Sequence, residues 1–278
     1  MNNPVQNVQG DASFISSNGI IAKFAFLILV LILFLVALRL GSSLITWIMS
    51  PSQNPTLVKG MIDAKQQQRI LQNPALKGSK PVLRSNNNTE GLEFTWSVWL
   101  FVDDFSYKEH EYKHVFHKGN DNINVSTPPI GMNFPNNAPG LYITPDTNNL
   151  LVVMNTFNKI NDEVIVPDLP LNKWVNVILR VSNQHQLDIY INGTLAKRHI
   201  LEGIPKQNYG DVFVAMNGGF AGYISSLKYF SDALGTNEIQ TIVDNGPNLK
   251  MESNKALTGK ETNYLATRWY FTGTNDMY

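Results

Sequence analysis

The sequence predicts an all-β domain, an antiparallel sandwich or barrel, carried behind one N-terminal transmembrane helix. Two observations lead there: an unbroken apolar run near the N-terminus, and a hydrophobic period that changes to two at Leu92 and stays there. A third is the punctuation, with Asn-Gly, Pro and Gly turns at short intervals and one helical pattern among them. Lys+Arg and Asp+Glu both total 22 in 278 residues, so no net charge draws the chain to nucleic acid. There is no cysteine, which excludes a disulfide framework and thiolate-held metal and suits a domain folding in a reducing compartment.

In chain order, residues 1–21 read as a short N-terminal tail. Phe24 to Leu38, FAFLILVLILFLVAL, lacks any polar side chain. Crossing the hydrocarbon core takes about 20 helical residues, and the run continues past Arg39 to Leu44-Ile-Thr-Trp-Ile-Met49. Arg39 would snorkel toward the headgroups, and Trp47 is the ring type that favours the interface. The transmembrane helix is therefore expected over 22–49, with its span from Ala22 to Leu44. A signal peptide would have Lys23 as the only cation of a long leading region, and no small-x-small cleavage site follows. A soluble core helix would carry a polar stripe. Only Lys23 lies close before the span, whereas Arg39, Lys59, Lys65 and Arg69 follow it. The positive-inside rule then places the C-terminal domain on the cytoplasmic, inward side. Sequons at Asn87, Asn124 and Asn192 point outward, but such triplets arise by chance in an Asn-rich chain.

Pro51-Ser-Gln-Asn-Pro55 ends the helix, because proline removes a backbone donor and restricts its predecessor. Thr56 to Leu71 sets Leu57, Met61, Ile62, Ala64, Ile70 and Leu71 against Lys59, Lys65, Gln66, Gln67 and Arg69, which predicts a short amphipathic helix. Asn73 to Asn88, with its prolines, glycine and Asn triplet, reads as linker. Residues 50–89 are thus expected to be a juxtamembrane helix and linker, residues 90–250 the folded domain, and residues 251–278 a C-terminal extension. In that extension Tyr264 to Phe271 reads equally as a docked strand or a partner-binding tail.

In the domain, Phe94, Trp96, Val98 and Leu100 point to one face, and Thr95, Ser97, Trp99 and Phe101 to the other. Further short runs follow at Lys113–His117, Gly140–Ile143, Leu150–Asn155, Val164–Val166, Trp174–Val181, Leu187–Ile191, Leu195–Leu201, Val212–Ala215 and Tyr223–Phe230. Asn192-Gly193 between QLDIYI and TLAKRHI marks a hairpin, since both residues tolerate positive φ. Only Asn237–Val243 looks helical here. About ten strands without interleaved helices exclude a βαβ sheet.

LNKWVNVILRVSNQHQLDIYINGTLAKRHI resembles the middle of laminin-G-like and concanavalin A-like lectin/glucanase domains, where a strand opened by Trp precedes one ending in Tyr-x-Asn-Gly. GLEFTWSVWLFVDD resembles that superfamily's first core strand, and GGFAGYISSLKYFSDALGTNEIQTI its final strand and following helix. The combination of anchor, RSNNNTEGLEFTWSVWL, HVFHKGN, PNNAPGLY and PKQNYGDV is also similar to membrane proteins of large algal-type DNA viruses. The superfamily resemblance implies an antiparallel jelly-roll β-sandwich and no single function.

Laminarinase-type members carry two glutamates and an aspartate alternating on one strand. Here Asp188 stands alone in QLDIYI, and proline interrupts the Glu163 and Asp168 neighbourhood, so the chain is not expected to be an enzyme. His110-Glu111-Tyr112-Lys113-His114 matches H-E-x-x-H, which on a helix would set His110 and His114 on one zinc ion. The string lies in a short polar connection before a strand, so a zinc hydrolase rests on the pattern alone. Calcium is a superfamily habit, with Asp121, Asn122, Asp146 and Asn148 as candidate hard ligands in two loops. The same residues also simply make turns, and no cofactor is otherwise expected. Trp99, Phe101, Tyr209 and Tyr223 would stack on sugar rings from an exposed face and would be core residues elsewhere. The expected function is a membrane-anchored, non-catalytic interaction module, a structural membrane component of a large DNA virus particle or a host-derived internal membrane. Its partners would be the lipid bilayer and capsid or other membrane proteins. The alternative is a glycan-binding lectin used in host attachment, which requires an outward-facing domain.

Overall fold

The computed structural model describes residues 19–85, 87–88 and 91–252, in two compact units, Met1–Ser50 and Pro51–Tyr278. The readings for the N-terminal tail up to residue 18 and for Tyr264 to Phe271 lie outside the described residues.

The first unit holds the helix α1 (Ile20–Met49), about 45 Å long at 1.5 Å per residue. Phe24, Leu38 and Trp47 are all exposed, as are the aliphatics between them. Among the described residues it is the one helix long and apolar enough to cross a membrane. Two of its hydroxyls return to its own backbone: Ser42 donates to the Arg39 carbonyl and Thr46 to that of Ser42. Such back-bonding satisfies these two hydroxyl donors in an apolar solvent.

The second unit is a sandwich of two six-stranded sheets, antiparallel throughout and of jelly-roll type. The first sheet runs β1 (Met61–Asp63), β14 (Ala221–Phe230), β5 (Phe94–Asp104), β10 (Trp174–Ser182), β11 (Gln186–Ile191), β12 (Thr194–Ile200). The second runs β2 (Gln68–Ile70), β13 (Asp211–Val214), β6 (Lys113–Gly119), β7 (Gly140–Ile143), β8 (Leu150–Met154), β9 (Asp162–Val166). A small ribbon pairs β3 (Asn87–Asn88) with β4 (Gly91–Leu92). On β5 the alternation holds, with Phe94, Trp96, Val98, Leu100 and Val102 in the main core. Trp96 stacks on Phe116 at 5.4 Å and meets Tyr229 edge-on at 5.1 Å.

The second face of β5 is covered as well, which alternation alone does not foretell. Thr95 accepts the Leu234 N–H and donates to the Asp232 carbonyl, while Ser97 accepts from Asn176. Above that sheet lies α2 (Thr236–Asn245), whose Ile239 packs on Ile178 and Leu234. Glu238 accepts the Gly235 N–H at the helix start.

The juxtamembrane helix expected over Thr56 to Leu71 is corrected to two strands, β1 and β2, one at the edge of each sheet. Asp63 decides this: its carboxylate accepts the Lys65 N–H and its carbonyl the Gln66 N–H, turning the chain where a helix would continue. Leu57, Val58, Ile62, Ala64 and Ile70 then enter the main core, which i,i+4 spacing had assigned to a helix face. The following stretch is no free linker either, because Lys80 is tied to Leu71 and Leu57, and Ser85 to Gln207. The compact unit therefore begins at Pro51 rather than near Glu90. It still includes Glu252, whose carboxylate accepts the Lys59 and Gly60 N–H groups.

Candidate functional site

The strand registers separate the predicted site residues to two ends of the sandwich. Gly119, Gly140, Met154, Asp211, Phe94 and Phe230 close one end, and Lys113, Ile143, Leu150, Val214, Asp104 and Ala221 the other. Asp121 and Asn122 follow β6 at the first end, whereas Asp146 and Asn148 follow β7 at the second. Seven residues of strand, about 20 Å, lie between the loops, so the two sets cannot share one calcium ion. Asn120 spends its side-chain oxygen on Asn133 and Asn136, and Asn148 donates to the Leu169 carbonyl. Among the described residues no three His, Cys, Asp or Glu side chains converge.

The H-E-x-x-H string lies in a turn and the strand that follows it, not on a helix. His110 has φ 66°, a left-handed turn residue incompatible with a helix, and its Nδ1 lies 2.7 Å from Asp146. His114 instead is buried in β6. The Met216 N–H donates to His114 Nδ1, His114 Nε2 to His117 Nδ1 at 2.7 Å, and His117 Nε2 to the Asn120 carbonyl. Each imidazole is thereby fixed as the Nε2–H tautomer, with no lone pair left for a metal. Burial pushes His117 down to about 4 and His114 well below the ordinary histidine value.

The four predicted stacking rings form no single site. Trp99 is 6% exposed and belongs to the covered face of its sheet. Tyr223 lies at the second end beside Phe101. Tyr209 is 94% exposed at the first end, and around it lies the groove that sequence reasoning did not foresee.

A bulge between His114 and Phe116 resets the alternation of β6. Val115 and Phe116 both enter the core, His117 turns outward against Phe213, and Lys118 turns inward. Lys118 is only 5% exposed; its ammonium donates to the Gly210 carbonyl at 2.5 Å. Gly210 has to be glycine, because a Cβ there would lie 2.1 Å from the Gly119 carbonyl oxygen. Lys118 lines a deep recess of about 40 Å³ with Phe94, Trp96 and Tyr229. An outer recess of about 290 Å³ is lined by Phe157, Gln184, Ile204 and Pro205, and Arg84, Gln207 and Tyr209 border both. Burial lowers Lys118 to about 8 and raises the Tyr229 hydroxyl, which has no partner among the described residues. Among the described residues, no acidic side chain lines either recess.

Residues 77–240 match the sequence profile of the concanavalin A-like lectin/glucanases superfamily. No curated protein sequence matches the chain. Among solved structures, similarity extends to a botulinum neurotoxin serotype D ligand binding domain in complex with N-acetylneuraminic acid (12% identity, TM-score 0.47, 71% of this chain and 51% of that one). It extends also to the receptor binding domain of botulinum neurotoxin D (13%, 0.46, 70% and 44%) and to a botulinum neurotoxin DC binding domain in complex with rat synaptotagmin II (14%, 0.41, 55% and 36%). The chain thus spans about half or less of those domains, and at such identity the likeness speaks to fold alone. Since the matched segment, 77–240, is more than half of the 278 residues, the chain belongs to the concanavalin A-like lectin/glucanase superfamily.

Proposed function

We propose that this protein is a non-catalytic binding module tethered to a bilayer by α1, with the groove around Tyr209 as its ligand site. The exposure of Tyr209 carries the reading. A domain that leaves an almost bare tyrosine beside exposed Phe157 and Ile204 presents apolar surface at a concave mouth. The lining, which includes no acidic side chain among the described residues, supports binding without catalysis. Its setting, in this reading, is the membrane of a large DNA virus particle, with capsid or other membrane proteins as neighbours and the domain facing inward. The sequence likeness to viral membrane proteins and the cations following α1 support that setting. Glycan binding is the second reading, favoured by the flat open ring of Tyr209 beside Gln184 and Gln207. Protease treatment of intact membranes tests the setting: a protected C-terminal domain supports the inward-facing component, and a cleaved one supports the lectin. Tyr209→Ala tests the site, because loss of ligand retention without loss of folding is expected only if the groove binds.

A further inference from the structure

We propose that the deep recess is a carboxylate site, in which Lys118 and Tyr229 hold the acid group of an acidic sugar while the sugar ring lies against Tyr209. This rests on the reading of the groove as a ligand site and adds the ligand class.

The side chains of the lining present donors, and their amide oxygens are already engaged. An ammonium has three N–H donors, and Lys118 spends one, on Gly210. The Tyr229 hydroxyl is buried without a partner among the described residues. Gln207 is consumed by Ser85, accepting its N–H and donating to its hydroxyl. Asn208 donates to the Lys118 carbonyl and accepts the Gly210 N–H. Among the described side chains of the lining, the Lys118 ammonium and the Tyr229 hydroxyl therefore keep donors unspent, with Arg84 at the border. The Asp211 carboxylate favours the charged form of Lys118, but it is engaged by Arg69 and the Gln72 N–H and is not among the groups that line the recess. The ammonium donors not spent on Gly210 are open to an anion in the space.

Size sets the rest. At about 40 Å³ the deep recess admits a group of about three heavy atoms, given the roughly 10–15 Å³ that one water requires. A carboxylate fits; a sugar ring stays outside, where the 290 Å³ recess and the open face of Tyr209 receive it. A peptide would add to an open strand edge, yet no residue of the edge strands β1, β2, β9 or β12 lines either recess.

Full-length protein in detergent micelles is titrated with sialyllactose, with neutral lactose and with a short acidic peptide. Sialyllactose is expected to bind at least about tenfold tighter than lactose, and Lys118→Met to remove that advantage. Lys118→Met also deletes a buried charge, so its melting temperature is expected to hold or rise while binding is lost. Tyr229→Phe, with packing unchanged, is expected to weaken sialyllactose alone. Equal binding of lactose and sialyllactose, lost in Tyr209→Ala, would leave the groove as the ligand site and sink the carboxylate assignment. Tight binding of the peptide but not the sugar would overturn the sugar. Absence of all binding, with a lowered melting temperature in Lys118→Met, would make the lysine a strut for Gly210 and end the proposal.

Discussion

At the scale of single residues, the histidine relay makes stability depend on pH with a definite sign. His114 and His117 each accept one hydrogen bond and donate one, so protonating either puts two N–H donors face to face. Burial holds His117 to about 4 in the fold against 6.5 in the unfolded chain, and His114 is lowered as well. The unfolded chain therefore binds more protons below 6.5, and stability falls as the pH falls. Above 6.5 these two groups are neutral in both states and contribute no slope. For His117 the loss accumulates to about 3 kcal/mol by pH 4, because each pH unit between the two values is worth about 1.4 kcal/mol. Urea denaturation at several pH values reads it directly. His117→Gln keeps one acceptor and one donor and cannot protonate, so it is expected to retain most neutral-pH stability and flatten the acid slope. An unchanged slope in that variant would put the acid sensitivity elsewhere. None of this was legible in HEYKH, where sequence shows spacing but not which partner reaches each nitrogen.

At the scale of elements, legibility followed locality. The strands from β5 to β14 and the helix α2 were readable because period two, the Asn192-Gly193 turn and a single 3.6-residue pattern are local signals. What misled was Thr56 to Leu71, where i,i+4 spacing is satisfied by two three-residue strands as well as by a helix. Only the Asp63 turn and the open edges of β14 and β13 decide between them. The bulge in β6 was equally hidden, and with it the inward turn of Lys118. Asp188 is a third case. It stands alone in QLDIYI, yet Arg180 and Arg198 lie straight across it on β10 and β12, and both bond its buried carboxylate. Two outcomes follow for β1 and β2. Ile62→Ala and Leu57→Ala are each expected to cost about 2–5 kcal/mol, the range for emptying a buried aliphatic site, measurable by denaturation. A chain begun at Glu90 loses both edge strands and five core residues, and is expected to bind ANS and melt without cooperativity; a chain begun at Pro51 is expected to melt in one sharp transition.

At the scale of the whole molecule, the two units answer to different solvents. The sandwich hides its aliphatics between sheets, while α1 shows them on every side and returns the Ser42 and Thr46 hydroxyls to its own backbone. Such a helix is at rest only in an apolar medium or as a transient leader. Membrane extraction separates these two fates. An anchor keeps residues 20–49 on the mature chain and resists alkaline carbonate, whereas a leader is removed and the chain washes off. The apolar surface argues for the anchor, and so does the cost of disturbing it. Arginine at the centre of a span is unfavourable by about 2.5–3.5 kcal/mol on insertion scales. Leu31→Arg is therefore expected to shift the protein measurably toward the soluble fraction, while Arg39→Leu, at a position where the side chain can snorkel, is expected to leave it in the membrane. Deletion through Ser50 is expected to release the sandwich with its melting temperature unchanged, because the compact unit of the sandwich begins at Pro51. A deleted form that still sediments with membranes would locate the lipid affinity in the sandwich itself, and the groove at Tyr209 would then have to be tested with lipid headgroups as well as sugars.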